Sequence, residues 1–317
     1  MLRIFPVAFL MAAVCSISFA AVDSTLLALA PSQSQTVVSI SVEASRNSPF
    51  GQFLLREMST DDDSFQQMIE QTGFDPRRDL QSVLIASAPS QESKAQSRFA
   101  VIARGNFDTS RIEAAARKKG FVLQHFGGVD LLVDNSKHGQ TAFAFPDVDL
   151  AVMGDISSVK QVIGNRANPT SLDPALQEQI ANVEGNDAWF ASIAPPSAGF
   201  SLPDSDMQKT ADQARVLQSV IRSSGGITFG PSSNLAFDAV TRSAQDAKAL
   251  ADVVRFLASM AQMQGTKAGQ TAFPASALDS MKLNAAGSSV HISLQVPESF
   301  LEQLAHPPAK SAARSTH

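Results

Sequence analysis

The sequence predicts an α+β fold: two tandem β-α-β-β-α-β-like repeats, mainly antiparallel sheets, and helices packed mostly on one face. Three observations carry this reading. Val37-Val-Ser-Ile-Ser-Val-Glu43 alternates as a half-buried strand does. Gly127-Gly128 separates two apolar runs in the manner of a two-residue hairpin. The order of strands and helices over 21–185 recurs over 186–305.

In the opening strand, alternation sets Val38, Ile40 and Val42 on one face and Ser39, Ser41 and Glu43 on the other. Helices are expected over 49–58, where Pro49 suits a first turn, and over 64–72, behind Asp61-Asp62-Asp63. Gly73 can take the left-handed conformation that closes a helix, and Asp75-Pro76 starts a turn. Strands follow over 80–88 and 99–105, then a helix from Asp108 to Lys119 with Ile112, Ala115 and Ala116 on one face. The hairpin 121–126 and 129–133 leads to strands over 142–145 and 149–153. Asp155 then caps a helix carrying Val159, Val162 and Ile163, and a linking helix is expected over 174–183.

The second half opens with a strand over 187–193, a helix over 207–222, and strands over 227–229 and 235–241. Ser243 with Asp246 starts a helix whose stripe is Leu250, Val253, Val254, Leu257, Met260 and Ala261. A short helix over 275–281, strands over 283–285 and 290–296, and a closing helix with Phe300, Leu301 and Leu304 complete the chain.

The 317 residues are 44% hydrophobic, enough for a sizeable core, and carry a net charge of −5. That balance argues against nucleic acid as a partner, since such binders show a basic stripe. Residues 1–20 read as a secretory leader: Arg3, an apolar run from Ile4 to Ile17, then Ser18-Phe19-Ala20. The mature chain then has no transmembrane segment and no cysteine, because Cys15 lies within the leader. A periplasmic or secreted product stabilised by its core, without disulfides, is expected, with a frayed tail over 306–317.

The junction Gly73-Phe-Asp-Pro-Arg-Arg-Asp-Leu80, followed by Arg98-Phe-Ala-Val-Ile-Ala-Arg-Gly-Asn-Phe107-Asp108 and a short helix, resembles an uncharacterised family of exported bacterial proteins. The likeness spans most of residues 30–195. Its motifs are structural, so the resemblance implies export and a shared fold, and it transfers no catalytic residue.

Ser157 and Lys160 match an S-x-x-K spacing, but the S-D-N-like and K-T-G elements that accompany it in penicillin-recognising enzymes are missing. There is no G-x-S-x-G elbow, G-x-G-x-x-G turn, Walker loop or H-E-x-x-H helix. His125, His138, His291, His306 and His317 have no metal-ligand spacing. A zinc site assembled from His125, His291 and a carboxylate would have to come from the fold. Asp61-Asp62-Asp63 lacks the spaced acids of a calcium loop. Asp147 with Asp149 reads as a solvent-facing strand edge, and Arg77, Arg78 and Asp79 as charges leaving a turn. No catalytic residue, cofactor or metal is expected.

The informative feature is a polar strand face: Ser39, Ser41 and Glu43 in the first half, and His291, Ser293 and Gln295 in the second. A sheet covered on both sides would be apolar on both, so these residues are the expected binding face. The reading is an exported, non-catalytic envelope protein that binds a macromolecular partner, such as an envelope protein, or a lipid-like ligand through its sheet. A hydrolase with a site assembled only in three dimensions, and a purely structural or inhibitor-like module, are the alternatives.

Overall fold

The computed structural model describes residues 24–57, 63–88, 98–134, 141–195, 211–264 and 274–305. The leader 1–20, the tail 306–317, Asp61, Asp62 and His138 lie outside them. The strands are β1 (Thr36–Ser41), β2 (Leu80–Ala88), β3 (Arg98–Gly105), β4 (Val122–Phe126), β5 (Val129–Asp134) and β6 (Thr141–Asp147). They continue with β7 (Leu150–Asp155), β8 (Ala188–Ser192), β9 (Val220–Thr228), β10 (Ser232–Thr241), β11 (Lys282–Ala286) and β12 (Ser289–Pro297). All belong to one antiparallel sheet, ordered β11-β12-β10-β9-β8-β1-β2-β3-β7-β6-β5-β4. The predicted α+β class is therefore what the chain adopts, with the strands of both halves joined where β1 pairs with β8.

Residues directly opposite across a strand pair point to the same side of a sheet. Val37 stands opposite Ala86 and Ala191, Ala86 opposite Ala100, and Ala100 opposite Gly154. On this first face Val37, Leu84, Ile102, Leu131, Ala144 and Val152 are all buried. They pack against Leu26 of α1 (Ser24–Leu29), Val159 and Val162 of α7 (Ile156–Asn165), and Leu176 and Ile180 of α8 (Pro174–Ala181). Each such Val or Leu contributes about 1.5–3 kcal/mol by leaving water. Asp155 caps α7 by accepting the Ser158 N–H, and Asp173 caps α8 by accepting the Ala175 N–H.

In the second half the cover changes sides. Ala191 lies opposite Ser224, Ser224 opposite Asp238, and Asp238 opposite His291, all on the first face. Their neighbours Ala239 and Val290 therefore point to the second face, where they bury against Ala247, Leu250 and Ala251 of α10 (Ala244–Gln264). On the same face Ile227, Leu235, Leu294 and Val296 meet Phe50 of α3 (Pro49–Glu57) and Phe300 and Leu301 of α12 (Glu298–Ala305). The buried carboxylate of Glu298 accepts the Phe50 N–H, tying a helix of the first half to one of the second.

Two of the boundaries that depart from expectation have a clear cause. The opening strand stops at Ser41, whose Oγ accepts the Ala44 N–H and starts α2 (Val42–Arg46), so Val42 and Glu43 are helical. Of the helix expected over 207–222, residues 207–210 lie outside the described ones; α9 (Ala211–Gln218) is the described part, closed by Ser219 donating to the Val216 carbonyl. The following residues form β9 because β8 and β10 offer ladders on both sides. Tertiary pairing overrides the local helical pattern there.

Candidate functional site

The second face of β8, β1, β2, β3 and β7 is the open part of the sheet. Opposite pairs place Ala188 and Phe190 (β8), Val38 and Ile40 (β1), Val83 and Ile85 (β2), Val101 and Ala103 (β3), and Ala151 and Met153 (β7) together there. Val37 and Leu84 on the first face are 0% exposed, whereas Ile40 is 37% and Met153 47% exposed; the other residues of the row are half-buried. Among the described residues, α1, α7 and α8 cover these strands from the first face, and α2 lies at the end of β1 and β2. With strands about 4.8 Å apart, the floor is about 19 Å wide.

Aromatic rings form its two sides. Phe143, opposite Met153, meets Phe121 edge-on at 5.4 Å and Phe145 at 5.9 Å; Phe145 leads to Phe107 at 5.7 Å. Phe74 stacks on Phe107 at 5.3 Å. Behind this ladder α6 (Thr109–Lys118) packs over β5, where Leu132 is buried. On the other side Phe190 and Phe237 lie 6.0 Å apart across Gly225, which is opposite both. A Cβ on Gly225 would stand 2.7 Å from the Phe190 ring, so only glycine lets the rings close over that strand.

One end of the floor is polar. Ser87, Thr36, Ser192 and Ser223 are opposite one another in turn, making a row of hydroxyls across β2, β1, β8 and β9. Thr36 Oγ1 and Ser192 Oγ share a hydrogen bond of 2.8 Å. Beyond this row the floor is apolar.

The residues expected as a polar face in the first half do not share one open strand face. Ser39 is on the first face, 2% exposed, between Leu84 and the buried Trp189. Ser41 is a helix cap and Glu43 lies in α2. Both faces of β1 carry valine, so alternation separates the faces without saying which one the helices cover. His291, Ser293 and Gln295 do share an open face of β12, where His291 Nδ1 pairs with Asp238 at 2.8 Å and Gln295 donates to Asn234 at 3.0 Å.

The chain shows no family-model match and no match among curated proteins. Two solved structures of TP0453 align with this chain: crystal form IV, at 11% identity over 91% of this chain and 98% of that one, and crystal form III, at 10% over 88% and 96%. The TM-score is 0.49 for each.

The reactive candidates are occupied by structural work. Ser157 Oγ donates to Asp155 at 2.7 Å, while Lys160 Nζ sits 5.3 Å from the centre of the Phe126 ring. His125 pairs with Asp130 on β4 and β5, ten strand positions from His291 on β12. A zinc site shared by the two histidines is thereby ruled out. Among the described residues no three His, Cys, Asp or Glu side chains converge as metal ligands. Asp147 pairs with Arg166 and Asp149 with Arg104.

At the junction, Arg77 grips Asp75 with two bonds of 2.8 and 2.7 Å, and Arg78 grips the buried Asp79 with two of 2.7 and 2.8 Å. Asp75 accepts the Arg77 N–H and Asp79 accepts the Asp75 N–H, a reciprocal cap on α5 (Pro76–Asp79). These partners, Arg77 for Asp75 and Arg78 for Asp79, hold both carboxyls below the usual aspartate range. For Asp155, burial alone would raise the pKa; hydrogen bonds from Ser157, Ser158 and Phe99 outweigh it and lower it.

Proposed function

We propose that this chain is an exported, non-catalytic envelope protein that holds a lipid-like ligand on the open face of its central strands. The observation that carries the reading is the contrast between the two sides of the same strands: Val37 and Leu84 fully enclosed, Val38, Ile40, Ile85, Val101 and Met153 in reach of solvent. A contiguous apolar surface of this extent marks an interaction site. The hydroxyl row gives the surface a polar end, so an amphiphile fits it with its chain along the floor and its head at Thr36 and Ser192. Among the described residues no helix is long and apolar enough to cross a membrane.

The test is binding of a fluorescent long-chain acyl probe by the full chain and by Ile40→Lys and Val101→Lys. The expected result is saturable binding by the parent and at least tenfold weaker binding by both variants, with unchanged circular dichroism. No binding by the parent sinks the reading. A second reading rests on the open polar rungs His291–Asp238 and Gln295–Asn234, which suit a macromolecular partner. Capture of one envelope protein, abolished by His291→Ala with Gln295→Ala and untouched by Ile40→Lys, would favour it.

A further inference from the structure

The two ends of the sheet are protected differently. At one edge β11 begins with Lys282, and its apolar Leu283 and Ala285 pack in the cluster formed with α10. At the other edge all five residues of β4 are exposed, with Val122 at 50%, Leu123 at 39% and Phe126 at 38%. This edge has no lysine, proline or bulge, the devices that keep strand edges from pairing. A bare strand edge presents backbone donors and acceptors, so its natural occupant is another strand.

We propose that β4 is the docking edge for a second copy of this chain, the two β4 strands pairing antiparallel about Gln124. The hairpin decides which groups are free. Phe126 and Val129 flank Gly127-Gly128, whose φ values are +57° and +78°, and close the two-residue turn as a hydrogen-bonded pair. Alternation then turns the backbone groups of Val122, Gln124 and Phe126 toward β5 and those of Leu123 and His125 outward. Centring on Gln124 sets Leu123 opposite His125 of the other copy, twice, and pairs every outward N–H and C=O of both residues. Registers centred on Leu123 or His125 leave half of them unpaired.

Side chains agree with that register. Val122 meets Phe126 of the other copy on the first face, and Leu123 meets His125 on the second. Gln124 meets itself as a close, non-hydrogen-bonded pair about 4.5 Å apart between Cα atoms, near enough for amide-to-amide bonding. No like charges face each other, since His125 is bonded to Asp130 of its own copy. The result is a closed two-fold pair with one sheet running through both copies. Its area is below that of a standard interface, so the pair is weak.

Light scattering on the full chain at protein concentrations on the order of 100 μM, where weak pairings of this size are populated, tests the idea. The expected result is a concentration-dependent dimer that Gln124→Lys abolishes, with an unchanged unfolding midpoint. In a Cys15→Ser chain, Gln124→Cys should cross-link under mild oxidation, because directly opposed Cα atoms are within disulfide reach. Gln245→Cys, exposed on α10, should not. A parent chain that remains monomeric, or a dimer that survives Gln124→Lys, overturns the proposal.

Discussion

The guanidinium of Arg111 occupies the space where a side chain on Gly73 would begin. A Cβ built on Gly73 would stand 2.7 Å from Arg111 Nη1, while Nη2 donates to the Glu70 carbonyl at 2.7 Å. Gly73, at φ +73°, closes α4 (Asp63–Thr72), so the left-handed turn and the arginine lock one helix end onto α6. Gly73→Ala should destabilise the fold by about 1–2 kcal/mol, from the left-handed backbone and the displaced guanidinium together. In an Arg111→Ala background the same change should cost less, and denaturant titration of the four chains measures the difference.

The two sides of β1 should respond unequally. Val37→Ala opens space in the closed core and should cost about 2 kcal/mol, whereas Ile40→Ala on the open face should cost less than about 1 kcal/mol. Equal losses in urea unfolding would place the helices on the wrong side of the strand.

Acid should weaken the fold in a defined window. Asp75, Asp79 and Asp155 have folded pKa values below the 3.8 of a free aspartate. The unfolded chain therefore binds protons first, so their stabilisation is present above 3.8 and is lost as pH falls through the folded values. Thermal midpoints measured from about pH 6 to 2 should drop below pH 4, and less steeply in Asp155→Asn.

Glu298 offers a direct probe of the contact between α3 and α12. Glu298→Ala leaves the Phe50 N–H without its carboxylate and should cost about 1–3 kcal/mol in urea unfolding. Glu298→Gln should recover part of the loss, since its amide oxygen still accepts.

The hydroxyl row predicts selectivity by head group. Thr36→Val with Ser192→Ala should weaken binding of a monoacylglycerol several-fold and leave a plain hydrocarbon probe unaffected. Titration of both ligands against both chains reads the outcome.

Local chemistry was legible where a residue acts on its own neighbours. Gly127-Gly128 turns the hairpin, Asp155 caps α7, and Ser243 with Asp246 opens α10. The class of the fold follows from such elements. The open face did not, because Val37 and Val38 are chemically identical, and the packing of α1 just before β1 and of α7 and α8, distant in sequence, decides which is buried. Polarity misled at Ser39, a small hydroxyl enclosed beside Trp189. At 220–222 the local pattern favoured helix, while the ladder from β10 required a strand. The aromatic ladder was beyond reach for a related reason: Phe143 and Phe145 share a face of β6, but Phe74, Phe107 and Phe121 come from connections elsewhere in the chain, and nothing in their spacing shows that they meet that strand.

The seam between β1 and β8 makes each half the template for the other. Severing the backbone after Gly185 would leave two pieces, each ending in a strand that has lost its neighbour on one flank. Neither piece expressed alone would be expected to remain in solution, whereas the two produced together should reassemble across that flank, as a split protein does.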